Sequence, residues 1–390
     1  MSVSGGPKVD DDGLVACFDA ASKKSIAGEP TVNLFTNPTL VGDTELGGAW
    51  GSYGCTYTIV EDGCVTPLSQ RMVGPAAPPE ATWRNSGIRF SLNGLTVSTT
   101  YTFTFYGKDL DNTYGIGYYY VGWLQTSSTS TTLDNGWKKY VLVLSATSTN
   151  TIIYIRPDNN NKNIAVDGLI NAPQFEQKDH STPFVDGARD TFFDISRNGN
   201  NADAPIRLGY DYSNKGSLVF DGSTNMNIVP SSSLNNTQFT VIAWIKHTEL
   251  VQSGSGERYI LYYNGANGGS RYGCLVGFSS NTLSNNGALN LVIGNGGWNG
   301  YSSNKNSWIS DRWYHIAVTC NGSSYFMYVD GVLDKSGASV APIFTTMNNP
   351  TNGIGINMVG NISTVKVYNR ALSENKITRN FEATKGRFGL

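Results

Sequence analysis

Two segments of the sequence concentrate aromatic side chains among asparagine, glycine and other small polar residues. "NTYGIGYYYVGWLQ" spans residues 112–125, and "GNGGWNGYSSNKNSW" spans residues 294–308. An aromatic ring can stack on the apolar face of a pyranose, while amides and hydroxyls hydrogen-bond the ring hydroxyls of the sugar. With "ATWRNSG" at residues 81–87, these segments supply the candidate binding residues, for a glycan or a protein partner: Trp298, Tyr301, Trp308, Tyr114, Tyr119, Trp123 and Trp83.

Each aromatic segment has a second interpretation. "YYYVGW" alternates like an ordinary strand, with Tyr118 and Tyr120 on the same face. Residues 294–308 are so rich in Asn and Gly that we expect an irregular, solvent-facing loop carrying Trp298 rather than a strand. An aromatic residue in such a loop could equally contact a neighbouring subunit. Trp298 is the most suggestive candidate.

Acidic side chains decide whether the chain could be an enzyme. A retaining glycosidase needs two carboxyl groups about 5 Å apart. Nearly all acids between residues 200 and 390 fall instead at predicted turns, strand ends or the terminal helix: Asp203, Asp211, Asp221, Glu249, Glu257, Asp311, Asp330, Asp334, Glu374 and Glu382. The histidines, His180, His247 and His315, have no Ser or Cys nucleophile beside them in a recognisable elbow. The sequence therefore predicts no catalytic residues and no enzyme.

The composition favours an all-β protein. Aromatic residues make up 12% of the chain and charged residues 15%, and the formal net charge is -2. This charge gives no reason to expect nucleic acid or an anionic membrane as a partner. No apolar run reaches the ~18 residues of a membrane span, and the first residues lack the apolar core of a signal peptide. Strand-like runs separated by NG and DG turns are typical of β-sandwiches.

Local patterns place several strands. In "GLVACFDAASKKSIAGEP", residues 13–30, apolar side chains alternate in the first half, which reads as a short strand that is buried on both faces, and the second half reads as a polar loop. "WYHIAVT", residues 313–319, alternates its side chains between two faces, and Asp330-Gly331 supplies the positive-φ turn of the hairpin that follows.

The C-terminal segment has a helical pattern. In "ALSENKITRNFEATKG", Ser373 is the predicted cap and Gly386 the predicted stop of a short helix. The final residues, "KGRFGL", combine apolar and basic side chains. We expect them to lie against the C-terminal domain or a neighbouring molecule.

The cysteines form no recognisable site. There are five of them, with no CxxC motif: Cys17, Cys55, Cys64, Cys274 and Cys320. Free thiols are the favoured interpretation, although Cys55 and Cys64 are close enough in sequence to be bridged. Such scattered cysteines and three histidines cannot assemble a zinc site, so no metal site is expected from these residues.

Four landmarks in the second half of the chain carry a family resemblance. They are "SLVFDGSTNMNIV", "FTVIAWIK", "WYHIAVTCNGSSYFMYVDG" and "GNISTVKVYNRALSENKI". Their order and spacing over residues 216–380 resemble the laminin-G-like family of concanavalin A-type jelly rolls. The resemblance implies a β-sandwich in this region.

The first half of the chain carries a different set of landmarks. These are "NLFTNPTLVG", "GLTVSTTYTFTFYGKD", "GWKKYVLVLSAT", "TIIYIRPD" and "IAVDGLINAPQFEQKDHSTPFV". Residues 33–184 are thereby similar to carbohydrate-binding modules of the family 4/9 type, a smaller jelly-roll sandwich. Both resemblances would allow calcium, for which Asp43, Asp62 and Asp167 are weak candidates; simple turn formation is the alternative.

The opening strand and the chain ends carry a third resemblance. "GLVACFDAASKKSI", "FFDISRNGNNAD" and "NFEATKGRFGL" resemble laminin-G-like proteins encoded by tailed phages, in which the first two pieces adjoin. Here a module-sized segment separates them, which indicates an insertion. We therefore expect three parts: residues 1–12, a polar leader; residues 13–32 plus 188–390, a discontinuous laminin-G-like jelly roll; and residues 33–187, an inserted carbohydrate-binding-module-like sandwich. The opening strand should pair beyond residue 190, near "STVKVYN".

These resemblances imply a role on the surface of a bacteriophage particle. We expect a virion structural protein, either a capsid decoration protein or a head or tail fibre component, with weak binding of host-surface glycans. Its partners would be other capsid or tail proteins and further copies of the chain, with no nucleic acid and no membrane insertion. It would assemble in the host cytoplasm and be released by lysis. The alternatives are a receptor-binding tail adhesin that recognises bacterial surface polysaccharide and a glycan depolymerase.

Overall fold

The computed structural model describes residues 9–26, 28–35, 39, 48–50, 56–74, 87–110, 116–157, 166–228, 231–247, 258–263, 266–267, 270–278, 287–344 and 352–390. Internal contacts divide the chain into two compact units. The discontinuous unit consists of Met1–Pro30 and Arg189–Leu390, and the continuous unit consists of Thr31–Ala188. Regular structure is mostly β-strand with one short C-terminal helix, which confirms the predicted all-β class. No helix in the described part of the chain is long and apolar enough to cross a membrane.

The strands of the described residues, in chain order, are β1 (Leu14–Asp19), β2 (Thr31–Val32), β3 (Gly48–Trp50), β4 (Thr56–Val60), β5 (Ser69–Gly74), β6 (Gly87–Asn93), β7 (Thr100–Asp109), β8 (Ile116–Val121), β9 (Trp123–Thr132), β10 (Trp137–Ala146), β11 (Asn150–Pro157), β12 (Val166–Glu176), β13 (Ala188–Arg189), β14 (Thr191–Phe192), β15 (Ala202–Asp203), β16 (Gly209–Asp211), β17 (Ser217–Asp221), β18 (Met226–Asn227), β19 (Phe239–His247), β20 (Arg258–Tyr263), β21 (Ala266–Asn267), β22 (Ser270–Phe278), β23 (Leu289–Gly296), β24 (Trp298–Ser302), β25 (Trp313–Cys320), β26 (Ser324–Val329), β27 (Val332–Ala338), β28 (Gly353–Ile356) and β29 (Val359–Tyr368). The helix α1 spans Glu374–Thr384, and 3-10 turns lie at Asp134–Gly136, Ser213–Lys215, Ser232–Leu234 and Lys385–Phe388.

Two large antiparallel sheets form most of the discontinuous unit, and β14 and β15 pair as a small third sheet. The first sheet has the order β16-β17-β29-β19-β25-β26-β27, and β1 also pairs with β29. The second has the order β18-β28-β20-β22-β23-β24, and β21 pairs with β22. Both sheets contribute to one hydrophobic core, to which β1 adds Val15, Ala16 and Phe18. This arrangement is that of a β-sandwich.

The opening strand β1 pairs with the C-terminal half of β29. Phe18 lies opposite Val365, and Cys17 lies opposite Lys366. The N-terminal half of β29 pairs with β17 instead. A single strand needs such partners to be stable. The predicted pairing of the opening strand with "STVKVYN" is therefore what the structure contains.

The strand β25 is buried along its whole length because both of its faces are covered. Tyr314, Ile316 and Val318 lie in the sandwich core. On the opposite face, Ala317 packs in a second cluster that includes Ile377 of α1. The alternation expected from "WYHIAVT" is thus present, with the C-terminal helix covering the outer face.

The C-terminal helix forms as expected, and α1 ends at Thr384, two residues before Gly386. The carbonyl of Ser373 accepts the N–H of Ile377 at 3.0 Å, although the Ser373 side chain makes no capping hydrogen bond. Gly386 does not stop the helical conformation, which continues as a 3-10 turn to Phe388 before Gly389 takes a left-handed φ of 74°. Burial of Phe388 beside Trp244 and Trp313 keeps this 3-10 turn against the sheet.

The C-terminal tail is anchored by its aromatic and basic side chains. The Phe388 ring stacks on Trp244 with 4.1 Å between ring centroids and lies 4.8 Å from the ring of Trp313. The Arg387 guanidinium donates to the Asp19 carboxylate at 2.8 Å and to the Gly216 carbonyl at 2.7 Å. The tail therefore lies against its own discontinuous unit, as the apolar and basic "KGRFGL" predicts.

The β26–β27 hairpin has the predicted two-residue turn. Asp330 and Gly331 have φ values of 50° and 78°, and Val329 pairs with Val332 on either side of them. Positive φ at both central residues is the requirement of a type I′ turn.

The continuous unit also consists mainly of two sheets. One has the order β4-β5-β12-β7-β10-β9, and the other has the order β3-β6-β11-β8. A carboxylate is buried in this unit: Glu176 accepts hydrogen bonds from the hydroxyls of Thr31 and Thr182, both at 2.7 Å, and from the Gln174 amide at 2.9 Å. Since Thr31 opens the unit and Thr182 lies close to its end, this carboxylate ties the two ends of the unit together.

Candidate functional site

Trp298 is the first residue of β24, in the hairpin formed with β23. Its Cα partner on β23 is Gly294, and Gly296 turns the chain between the strands with a φ of 79°. The expectation of an irregular loop here is therefore wrong for Trp298–Ser302. Cross-strand pairing with the apolar β23 imposes the strand conformation despite the weak β-propensity of Asn and Gly.

The Trp298 side chain lies on the surface of the sheet face that points away from the core. Leu291 and Ile293 of β23 belong to the sandwich core, so Gly294 and its partner Trp298 share a different face from them. The side chain of Trp298 retains an exposed fraction of 39%. An indole in this position can present its ring to a ligand.

Three glycines lie near Trp298 on this face. Gly294 lies opposite it, Gly300 lies two residues further along β24, and Gly273 of β22 lies opposite Gly294. A Cβ at Gly294 would stand 2.4 Å from the Tyr272 backbone, so close strand packing requires glycine there. These three glycines add no side chain to the face, whereas Val292, which lies opposite Gly300, does. We call the exposed part of the indole, with these glycines, the Trp298 platform, since an exposed aromatic ring suits stacking on a sugar.

Tyr301 and Trp308 do not join this platform. The Tyr301 hydroxyl accepts the Val340 N–H at 3.1 Å, and its ring lies 4.7 Å from that of Tyr325 against the core. Trp308 is only 4% exposed, and its indole N–H donates to the Gly287 carbonyl at 2.7 Å. The prediction that Trp308 is a surface binding residue is wrong because its ring is part of the core, and Tyr301 serves mainly to pack the edge of that core.

Of the aromatic candidates in the continuous unit, only Trp123 has a side chain that the structure describes. Trp83 and Tyr114 lie outside the described residues. Tyr119 lies within β8, which supports the strand interpretation of "YYYVGW", but its side chain lies outside the described part of the structure. Trp123 is 8% exposed and packs edge-on against Tyr101, at 5.8 Å between ring centroids. Trp123 is therefore a core residue rather than a binding platform.

Two of the three weak calcium candidates are paired with cations. The Asp167 carboxylate accepts a hydrogen bond from Arg71 Nε at 2.8 Å, and Asp62 forms an ion pair with Lys108 at 2.9 Å. Asp43 lies outside the described residues. Within the described part of the chain, no group of three or more His, Cys, Asp or Glu residues could hold a metal ion. Asp62 and Asp167 are thus engaged in ion pairs.

Four of the five cysteines are described, and all four are free thiols. Cys17, Cys274 and Cys320 are buried, and Cys64 is exposed. Burial raises the pKa of Cys274 to about 12, which keeps this thiol protonated and unreactive near neutral pH. Cys55 lies outside the described residues.

Three acidic residues of the discontinuous unit have structural roles. The N–H groups of Ser223 and Thr224 donate to Asp221, and these backbone bonds, that of Ser223 foremost, lower its pKa to about 2. Asp330 forms an ion pair with Arg312 at 2.8 Å, and Asp334 accepts the N–H of Asn304. These carboxylates stabilise turns and loops.

The buried histidines lack the surroundings of a general base. His315 is 1% exposed, its ring lies 5.2 Å from that of Trp244, and neither ring nitrogen has a hydrogen-bond partner among the described residues. Burial lowers the pKa of His315 to about 3 and also lowers the pKa of His247. Both rings are therefore neutral packing elements near neutral pH.

Comparison with known proteins locates a family match in the discontinuous unit. The sequence profile of the Concanavalin A-like lectin/glucanases superfamily matches residues 220–378, less than half of the chain. No curated protein matches the chain.

Several solved structures show partial similarity. Domain 4 of a GH43 extracellular arabinanase from Geobacillus stearothermophilus, in complex with arabinotriose, is 18% identical with a TM-score of 0.37, covering 47% of this chain and 90% of that one. The CBM40 of a Ruminococcus gnavus sialidase bound to α2,3-sialyllactose is 12% identical with a TM-score of 0.34, covering 42% and 94%. The ligand-binding domain of botulinum neurotoxin serotype D, in complex with N-acetylneuraminic acid, is 14% identical with a TM-score of 0.39, covering 49% of this chain and 47% of that one. Residues 220–378 are therefore similar to the Concanavalin A-like lectin/glucanases superfamily.

Proposed function

We propose that the protein is a lectin-like component of a virion surface that binds glycan weakly through the Trp298 platform. The observation that carries the binding proposal is the indole of Trp298, which keeps an exposed fraction of 39% on the sheet face that points away from the core. The match of residues 220–378 to a superfamily of lectins and glucanases is consistent with this role.

The platform predicts a modest affinity. Covering half of an indole with a sugar removes on the order of 100 Å² of apolar surface from water, which contributes roughly 2 kcal/mol. A single stacking residue with a few hydrogen bonds therefore suits a dissociation constant on the order of 1 mM. Several copies of the protein on one particle would raise the effective affinity through multivalency.

A glycan array tests the binding proposal. The wild-type protein should give a defined set of hits, and Trp298→Ala should weaken them by about 30-fold, the equivalent of ~2 kcal/mol. Tyr212→Ala is a matched control because Tyr212 is an exposed aromatic residue, at 58%, elsewhere in the same unit. Equal binding by wild type and Trp298→Ala would overturn the proposal.

The virion part of the proposal rests on the sequence. Its support is the resemblance of "GLVACFDAASKKSI", "FFDISRNGNNAD" and "NFEATKGRFGL" to laminin-G-like proteins of tailed phages. Under this proposal the protein co-purifies with phage particles at a fixed copy number, and electron cryo-microscopy of the particle places it on the head or the tail. Its absence from purified particles would contradict the virion role while leaving the glycan platform intact.

A tail adhesin is the second candidate function, and Trp298 is the feature that favours it. In an adhesin, Trp298→Ala should abolish adsorption of the particle to its host, whereas in a decoration protein adsorption should be unchanged. A depolymerase would instead release reducing ends from host polysaccharide, which is measured directly on the purified protein.

A further inference from the structure

The strand β9 is an unusually open edge of the continuous unit. It is ten residues long, ends the six-stranded sheet, and pairs only with β10 among the described strands. Every side chain from Leu124 to Thr132 is exposed, so neither face of this stretch is covered by the rest of the chain. Among the described strands at sheet edges, β9 is the longest.

The hydrogen-bonding groups of β9 alternate between β10 and solvent. The N–H of Leu133 donates to the carbonyl of Trp137 at 2.8 Å, which fixes the hydrogen-bonding phase between β9 and β10. Two residues further into the strand pair, Thr131 lies opposite Lys139. In an antiparallel pair, every second residue directs its N–H and C=O toward the partner strand. Thr129 and Thr131 therefore bond β10, while Ser128 and Ser130 direct their backbone groups to the open edge.

The stretch of β9 from Ser127 to Thr132 lacks the usual protection of such an edge. Natural edges are blocked by charges, prolines, bulges or short length. From Leu124 to Thr132 the strand has no charged residue, no Pro and no Gly, and its only irregularity is a bulge near Thr126. The edge strand β27, in contrast, carries Asp334 and Lys335.

We propose that β9 docks antiparallel against β9 of a second copy of this chain, with a twofold axis at Thr129. This register places Ser128 opposite Ser130 of the other copy, and Ser127 opposite Thr131. Every pair is then formed by small hydroxyl side chains, which neither clash nor repel. The open backbone groups of Ser128 and Ser130 become hydrogen-bonded to each other, so the two six-stranded sheets join into one.

A second copy fits this edge better than an unrelated strand. The stretch "TSSTSTT", residues 126–132, presents hydroxyls in nearly the same order from either end, so it is complementary to itself in antiparallel pairing. A twofold contact uses the same patch twice and closes after two copies. The paired segment is short and polar, which predicts a weak, concentration-dependent dimer at the low end of specific interface sizes.

Analytical ultracentrifugation of the full chain over a concentration series tests this pairing. The wild type should show a monomer–dimer equilibrium. Ser130→Pro should raise its dissociation constant at least tenfold, because Pro removes an N–H that only the second copy uses. Ser130→Thr keeps that N–H and should dimerise like the wild type. The melting temperature of each variant shows that the continuous unit is still folded.

A charge exchange at Thr129 tests the register. Thr129→Lys and Thr129→Asp should each be monomeric, because each places like charges face to face across the twofold axis. An equimolar mixture of the two variants should restore a dimer. A wild type that stays monomeric at every concentration, a dimer that survives Ser130→Pro, or a mixture that stays monomeric would overturn the proposal. The pairing does not depend on Trp298, so it stands or falls separately from glycan binding.

Discussion

Removal of the Phe388 ring should destabilise the discontinuous unit strongly, although the residue is third from the C-terminus. Phe388 is 6% exposed, and its ring contacts those of both Trp244 and Trp313. Truncation of such a buried side chain to Ala costs about 3–5 kcal/mol, and we expect the lower end of this range, about 3 kcal/mol.

Thermal and urea unfolding measure this loss. A cost of ~3 kcal/mol corresponds to a drop in the melting temperature of the unit of about 6–12 °C. Leu390→Ala is the matched control, since Leu390 is a neighbouring apolar residue with an exposed fraction of 39%, and it should change stability by less than about 0.5 kcal/mol. If Phe388→Ala were as stable as Leu390→Ala, the tail would not be part of the core, and the extended helical turn would need another cause.

Three further predictions concern a titrating side chain, a buried carboxylate and a turn. The pKa of His315 is lowered to about 3 in the folded state, so between pH 6.5 and pH 3 only the unfolded state gains a proton at this residue. The free energy of unfolding should therefore decrease by up to ~1.4 kcal/mol for each unit by which the pH is lowered. Urea unfolding at pH 7 and pH 5 should show a smaller decrease for His315→Gln than for the wild type. Glu176→Ala leaves its buried donors unpaired and should cost about 2–4 kcal/mol in urea unfolding, whereas unchanged stability would contradict its role in joining the ends of the continuous unit. Gly331→Ala should lower the free energy of unfolding by at least ~1 kcal/mol, because φ is positive at this position and the new Cβ would lie 2.9 Å from Phe381. Gly386→Ala is the control: its Cβ would meet no atom within 4 Å, so thermal unfolding should show no change in stability.

The features predicted correctly are those that local pattern decides. The Asp330-Gly331 turn requires positive φ at two positions, which few other residue pairs tolerate. The alternation of Trp313–Cys320 marks a strand regardless of what packs on it. Similarly, apolar alternation identified β1, and its resemblance to a family strand indicated a partner far along the chain.

The features that were wrong depend on tertiary contacts. The composition of β24 predicts a loop, but pairing with β23 makes it a strand. Trp308 and Trp123 each lie in a polar, glycine-containing stretch of sequence, which predicts exposure. In the structure each ring is buried against an aromatic residue from a distant strand, Phe278 for Trp308 and Phe175 for Trp123.

The candidate site was found from sequence only in part. Trp298 was singled out because it lies among Asn and Gly, and those same glycines prove to be its neighbours on the sheet face. That Gly273 also adjoins the platform depends on the pairing of β22 with β23, which no local pattern in the sequence indicates.

The most direct test of glycan binding is the indole N–H spectrum of the protein during a glycan titration. The chain has eight tryptophans, and the signal of Trp298 is identified as the one missing from Trp298→Phe. If a sugar stacks on the platform, this signal should shift progressively with the best array ligand while those of the buried Trp244 and Trp308 stay in place. A Trp298 signal that does not move at saturating glycan would contradict the proposed function.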